Sequence, residues 1–211
     1  LRKINKRALQ EELGLRVDPD IPLLGMITRM EYQKGVDLAL DALRQIDLPE
    51  QDGHFAWQAV ILGTGAPDLE EASHRMQNDY PDQIRAVTNF DAALSRRIYG
   101  GADALLTPSR YEPCGLTQMI AMRYGCIPIA RATGGLKDTI RHYSDKKGTG
   151  FLFWKPSPEV LSGTIRDALQ LYQDQKAWQK LQREGMSQNF SWERSARAYI
   201  SLYRSLVSLR R

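Results

Sequence analysis

The chain has 211 residues, 42% of them apolar and 26% charged, with a formal net charge of +4. This balance excludes a disordered chain, and 16 Gly and 2 Cys exclude a collagen-like or disulfide-stapled one. No apolar run approaches the roughly 20 residues of a bilayer span, and the basic residues are scattered, so neither a membrane nor a nucleic-acid partner is expected.

Taken in order, apolar segments alternate with amphipathic ones. Residues 2–13 carry a helical pattern that Gly14 stops. The run 22–28 predicts a buried strand, and 36–46 a helix with Leu40, Leu43 and Ile46 on its apolar face. A strand over 57–62 is closed by Gly63-Thr64-Gly65, and a helix over 68–79 follows. Strands over 84–88, 104–107, 127–130 and 150–153 then alternate with helices over 92–99, 116–124 and 136–142. Past Pro158 the strands cease, and three helices are expected over 159–172, 175–187 and 191–208, with Ser191 as N-cap of the last. The repeated unit predicts an α/β fold: a doubly wound, mainly parallel six-stranded sheet covered on both faces, with C-terminal helices. A single domain over 1–211 is expected, its core in 15–157 and a helical region in 158–211.

In such a sheet, ligands sit outside the carboxyl ends of the strands, so the loops there carry the functional expectations. The first, Thr28-Arg29-Met30-Glu31-Tyr32-Gln33-Lys34-Gly35, places two cations five residues apart, which suits an anion or a solvated surface. Gly63-Thr64-Gly65 begins a dinucleotide fingerprint, but Asp68 stands where the third glycine belongs, so a tight strand–helix turn is the better account and a nicotinamide cofactor is not expected. In Pro108-Ser109-Arg110-Tyr111-Glu112-Pro113-Cys114-Gly115-Leu116-Thr117-Gln118, a carboxylate is followed by a glycine that opens a helix. Amide N–H groups at a helix start favour an anion. Glu112 would repel a phosphate, so it either faces neutral hydroxyls such as a sugar's or caps the helix. Thr133-Gly134-Gly135 offers either amides to a ligand or a plain turn. Phe90 ends a strand as a core residue or as a stacking face for a base.

The remaining polar residues carry bland expectations. Arg2, Lys3, Lys6 and Arg7, and Arg210 and Arg211, read as solvated helix ends. Cys114 and Cys126 lack metal-ligand spacing and fit a reducing cytoplasm, with Cys114 a packing residue. His54, His74 and His142 share no motif. The chain opens at Leu1, inside a helical pattern and without Met, which suggests a piece of a longer protein.

Three segments together, TRMEYQKG (28–35), YGGADALLTPSRYEPCGLTQ (99–118) and RATGGLKDT (131–139), followed by FSW (190–192), resemble the glycogen and bacterial starch synthases of glycosyltransferase family 5. The resemblance spans nearly the whole chain, and EPCGLTQ is its most specific element. It implies the C-terminal, donor-binding, Rossmann-like lobe of a two-lobed GT-B enzyme, whose N-terminal lobe and KxGGL motif are missing here. The implied reaction is retaining transfer of glucose from ADP-glucose to the nonreducing end of an α-1,4-glucan, in the cytoplasm or, for a plant-type enzyme, a plastid. No cofactor is implied beyond the donor ADP-glucose and the product ADP. The resemblance assigns Arg29 and Lys34 to the diphosphate, Glu112 to the donor glucose, Gly115, Leu116 and Thr117 to the distal phosphate and sugar, and Phe90 to the adenine. Many retaining relatives carry a second Glu eight residues after the first; Ile120 occupies that place, as suits the bacterial glycogen synthases. Another retaining GT-B enzyme using a UDP-sugar and a non-catalytic nucleotide-binding module are the alternatives. Trp192, Tyr199, Tyr203 and Leu206 give the last helix an apolar face, to pack on its own lobe or to cross to the other one.

Overall fold

The computed structural model describes residues 1–46, 57–144 and 147–208. The apolar runs form six strands: β1 (Leu23–Ile27), β2 (Gln58–Leu62), β3 (Ile84–Val87), β4 (Ala104–Thr107), β5 (Ile127–Arg131) and β6 (Phe151–Phe153). All pair in parallel in the order β3-β2-β1-β4-β5-β6, so the sheet is wholly rather than mainly parallel. Nine α-helices precede, connect or follow these strands in the described residues: α1 (Arg2–Glu12), α2 (Val36–Arg44), α3 (Pro67–Asp79), α4 (Ala92–Gly101), α5 (Thr117–Tyr124), α6 (Gly134–Thr139), α7 (Pro158–Gln173), α8 (Gln175–Met186) and α9 (Trp192–Ser208).

Alternation along each strand sends side chains to opposite faces. Leu24, Met26, Ala59 and Ile61 meet Leu40 and Leu43 of α2, Leu69 of α3, Leu161 and Ile165 of α7 and Trp178 of α8. Leu23, Val60 and Leu105 meet Leu9 of α1, Leu94 and Ile98 of α4 and Ala121 of α5. The result is a helix–sheet–helix sandwich.

The element limits shift where local chemistry overrides the apolar pattern. Pro67 stands at the first turn of α3, a position that tolerates its missing N–H. The helix expected over 136–142 lies instead at Gly134–Thr139, because the chain is already extended at Ile140. Ser191 makes no side-chain cap, and none of α9 is buried. The expectation that α9 packs on its own lobe is not met: Trp192 is 87% exposed, and Tyr199, Tyr203 and Leu206 are exposed with it.

The basic residues of α1 are not all solvated. Lys6 is 2% exposed, and its Nζ reaches Asp103 Oδ2 at 2.7 Å, Pro19 O at 3.0 Å and Tyr172 OH at 3.0 Å. Arg2 donates to the carbonyls of Tyr124 and Ala102. The expectation for these two residues is overturned because they sit on the same side of α1 as Leu9, which packs on α4. Arg210, Arg211 and His54 lie outside the described residues.

Candidate functional site

Strand order reverses between β1 and β4, and in a doubly wound sheet the crevice for a ligand opens at that point. The loop after β1 stands on one side and the loop after β4 on the other. Lys34 and Glu112 span the gap, Nζ to Oε2 at 2.7 Å, with side chains 17% and 10% exposed. Ser109 Oγ donates to the same oxygen at 3.1 Å. Oε1 of Glu112 receives no protein donor among the described residues. The carboxylate is thus fixed through one oxygen and open at the other, an arrangement that accepts a hydrogen bond from a neutral hydroxyl. It does not cap α5, whose first turn takes no side-chain cap. Of the two roles expected for Glu112, the capping one is excluded.

Two arginines that sequence reasoning left without a role hold this crevice in shape. The Arg110 guanidinium grips the Asp37 carboxylate with two bonds of 2.7 and 2.6 Å, a fork geometry that lysine cannot reproduce. The Arg110 N–H also donates to Gln33 O at 2.8 Å, and Gln33 Nε2 donates to Tyr111 O at 3.1 Å. Arg131, at the end of β5, donates to Ser109 O at 2.8 Å and to Arg110 O. The hydrogen bonds that Arg110 donates to Asp37 raise its pKa, and burial lowers that of Arg131. Both remain cations at neutral pH. Their position beside the most unusual loop was the only signal available, because their partners lie 73 and 22 residues away.

The other expected residues divide into three groups. Gly115 lies in the left-handed region at φ +74°. With the 66%-exposed Leu116 and with Thr117 at the start of α5, it continues the loop that carries Glu112. Arg29 is on the loop of Lys34 but further out, 68% exposed and paired with Glu31 at 2.5 Å. Phe90 follows β3, at the same edge of the sheet but two strands from β1. At 87% exposure it is not a core residue, so its face is open.

The glycine pairs serve a purpose that spacing did not reveal. A Cβ at Gly63 would lie 1.8 Å from Thr28 O, and one at Gly65 would lie 2.3 Å from Met30 O. The first loop runs directly over these glycines, with Met30 bridged to Gly65, so close approach rather than a tight turn accounts for them. Gly134 and Gly135 behave alike. A Cβ on either would lie 2.1 Å from Glu112 O or 1.9 Å from Cys114 O, and the Gly135 N–H donates to Glu112 O at 3.1 Å. They seat the loop after β5 against the loop of Glu112; their role is not that of a plain turn.

Cys114 is exposed, whereas the Cys126 thiol is buried and pushed up to about 12 by burial. The expectation that Cys114 is a packing residue therefore fails, since its side chain faces solvent. Among the described residues no three His, Cys, Asp or Glu side chains gather to hold a metal ion. No described helix is long and apolar enough to cross a membrane.

The family model for glycosyl transferases group 1 matches residues 9–185. The chain belongs to that family. It is 46% identical to a glycogen synthase of Anaeromyxobacter sp. (strain Fw109-5), over 96% of this chain and 42% of that protein. A solved structure, the catalytic domain of starch synthase IV from Arabidopsis thaliana bound to ADP and acarbose, superposes with a TM-score of 0.86 at 38% identity. That match covers 98% of this chain and 43% of the other. Sucrose-phosphate synthase from Thermosynechococcus elongatus is more distant, with a TM-score of 0.68 at 26% identity over 95% of this chain and 49% of the other. The chain thus spans less than half the length of the relatives it matches. The group 1 glycosyltransferase family and the α/β sheet agree with what the loop motifs implied, and the likeness is to the glycogen and starch synthase type.

Proposed function

We propose that this chain is the donor-binding lobe of a retaining glucosyltransferase of the glycogen or starch synthase type, which takes glucose from ADP-glucose and extends an α-1,4-glucan. The observation that carries this is the Lys34–Glu112 pair across the strand-order reversal, beside the start of α5. It sets a cation, a half-open carboxylate and a helix N-terminus around one crevice. A nucleoside diphosphate sugar needs those three things: positive charge for the diphosphate, an acceptor for sugar hydroxyls, and amides for the distal phosphate.

As the anomeric bond to the diphosphate breaks, negative charge grows on the leaving group. Fixed cations and helix amides stabilise that charge without solvent reorganisation. Lys34 supplies the inner cation and Arg29 the outer one. Glu112 is held by Lys34 and Ser109, so its open oxygen is already aimed when the glucose arrives. Phe90 offers an uncovered ring for the base. The names of the similar proteins support the glucan, and the ADP bound to the starch synthase structure supports the adenine nucleotide for this chain. The acceptor glucan and a second lobe complete the enzyme, and the exposed face of α9 is suited to pack on that lobe.

Calorimetric titration of the chain with ADP and with UDP, repeated on Lys34→Ala, tests this. ADP should bind more tightly than UDP, and the substitution should weaken it. Equal binding of the two nucleotides would remove the ADP-glucose assignment and favour another donor. Binding unaffected by the substitution would remove Lys34 from the donor site.

A further inference from the structure

Gln118, in the first turn of α5, is fully buried, yet its amide serves neither the helix nor the core. Its Nε2 donates to Cys114 O at 3.1 Å, to Gly115 O at 3.0 Å and to Thr139 Oγ1 at 3.1 Å. The Thr139 hydroxyl spends its own proton on Gly135 O at 2.6 Å, so it meets Gln118 as an acceptor. The circuit closes through the Gly135 N–H, which donates to Glu112 O. Gln118 therefore joins the loop of Glu112 to α6.

A trans peptide is planar, with its C=O and N–H pointing in opposite directions. Because Gln118 draws the carbonyls of Cys114 and Gly115 inward, the N–H groups of Gly115 and Leu116 must point outward. Neither amide has a protein acceptor among the described residues. Gly115 reaches this orientation at φ +74°, and a Cβ there would lie 2.5 Å from Gln118 Oε1. That Oε1 is buried without any partner. A methionine of similar volume would fill the space without stranding an oxygen. A buried orphan in this position fits a side chain retained for its donors rather than for packing.

We propose that Gln118 is a positioning residue, braced by Thr139, which aims the Gly115 and Leu116 amides at the distal phosphate of the donor. It touches no substrate. The inference rests on the donor-site proposal above.

The test measures ADP and AMP affinities of the chain and its variants, since AMP lacks the distal phosphate. Two aimed amides to a charged oxygen imply a loss of about tenfold or more in ADP affinity for Gln118→Met. Thr139→Val, which is isosteric and remote from the ligand, should give a smaller loss of several-fold, and Thr139→Ser should restore affinity. AMP affinity should stay within about twofold throughout, because a loop that merely lost structure would weaken both nucleotides. In amide NMR of the parent chain, the Gly115 and Leu116 resonances should move on adding ADP and stay still with AMP. Equal losses for the two nucleotides, or folded variants with unchanged ADP affinity, would overturn the positioning role while leaving the donor site intact. Failure of the parent chain to bind either nucleotide would overturn the donor-site proposal and this inference with it.

Discussion

Strand β4 is flanked by two lysine–carboxylate pairs of equal length that behave differently. Before it, Lys6 meets Asp103 at 2.7 Å; after it, Lys34 meets Glu112 at 2.7 Å. Lys6 is saturated. Its ammonium has a carboxylate, a carbonyl and a phenol oxygen, and lies 5.2 Å from the centroid of the Tyr172 ring. Among the described residues Lys34 has the carboxylate alone, and that carboxylate, like Asp103's, takes its donors on one oxygen. A buried lysine whose three N–H groups all find acceptors holds elements together, here α1, α7 and the start of β4. A lysine with donors to spare is positioned for a third participant. Burial and distance alone do not separate the two cases; the count of acceptors around each ammonium does.

The sharpest way to break this contrast is to remove each lysine. Lys6→Met leaves Asp103 buried without its cation, a change that costs about 3–5 kcal/mol. It should lower the midpoint of thermal unfolding by about 10 °C. ADP affinity, measured where the variant is folded, should be unaffected. Lys34→Ala should do the reverse, with an ADP affinity at least about tenfold lower, equivalent to about 1.4 kcal/mol, and a midpoint that falls less than for Lys6→Met. If Lys34→Ala proved the more damaging to stability, the contrast would collapse.

Gly135→Ala forces a Cβ to within 1.9 Å of Cys114 O, so the loop of Glu112 must move. A stability loss of about 1–3 kcal/mol is expected from such overpacking, together with weaker ADP binding. Calorimetry and thermal melts on one sample would report both.

Alkaline pH probes the core without mutation. The Cys126 thiol ionises at about 12 in the native state, against its ordinary 9.0. Between those values the unfolded chain carries fewer protons than the native one, so stability should fall as pH rises above 9. Tyr99, also raised by burial, acts in the same direction. Replacing Cys126 with Ala should flatten that part of the profile. The smallest effect is chemical: iodoacetamide at neutral pH should label Cys114 and spare Cys126, read by mass spectrometry of the peptides.

The strands and loops were legible in the sequence because a parallel sheet buried on both faces leaves short apolar runs separated by helices. The loop of Glu112 was legible because a proline-bracketed carboxylate before a helix-opening glycine is unusual. Lys6 was not. Its burial depends on Asp103 and Tyr172, which are distant in the chain, and nothing in the pattern of α1 marks its lysine as different from Lys3. The braces at Arg110 and Arg131 were hidden for the same reason. Gly63, Gly65, Gly134 and Gly135 resembled ligand-cradling residues because close approach to a neighbouring loop and close approach to a phosphate demand the same missing side chain. Only the second backbone, which the sequence does not display, tells them apart.

The separation of Lys34 from Glu112 by 78 residues bears on biosynthesis. Closing so long a loop is entropically unfavourable and waits on the docking of β4 against β1. A chain leaving the ribosome with β1, β2 and β3 already made has half of a sheet and no crevice at all. The site comes into being only when Gly135 has emerged and the loop of Glu112 can settle on it.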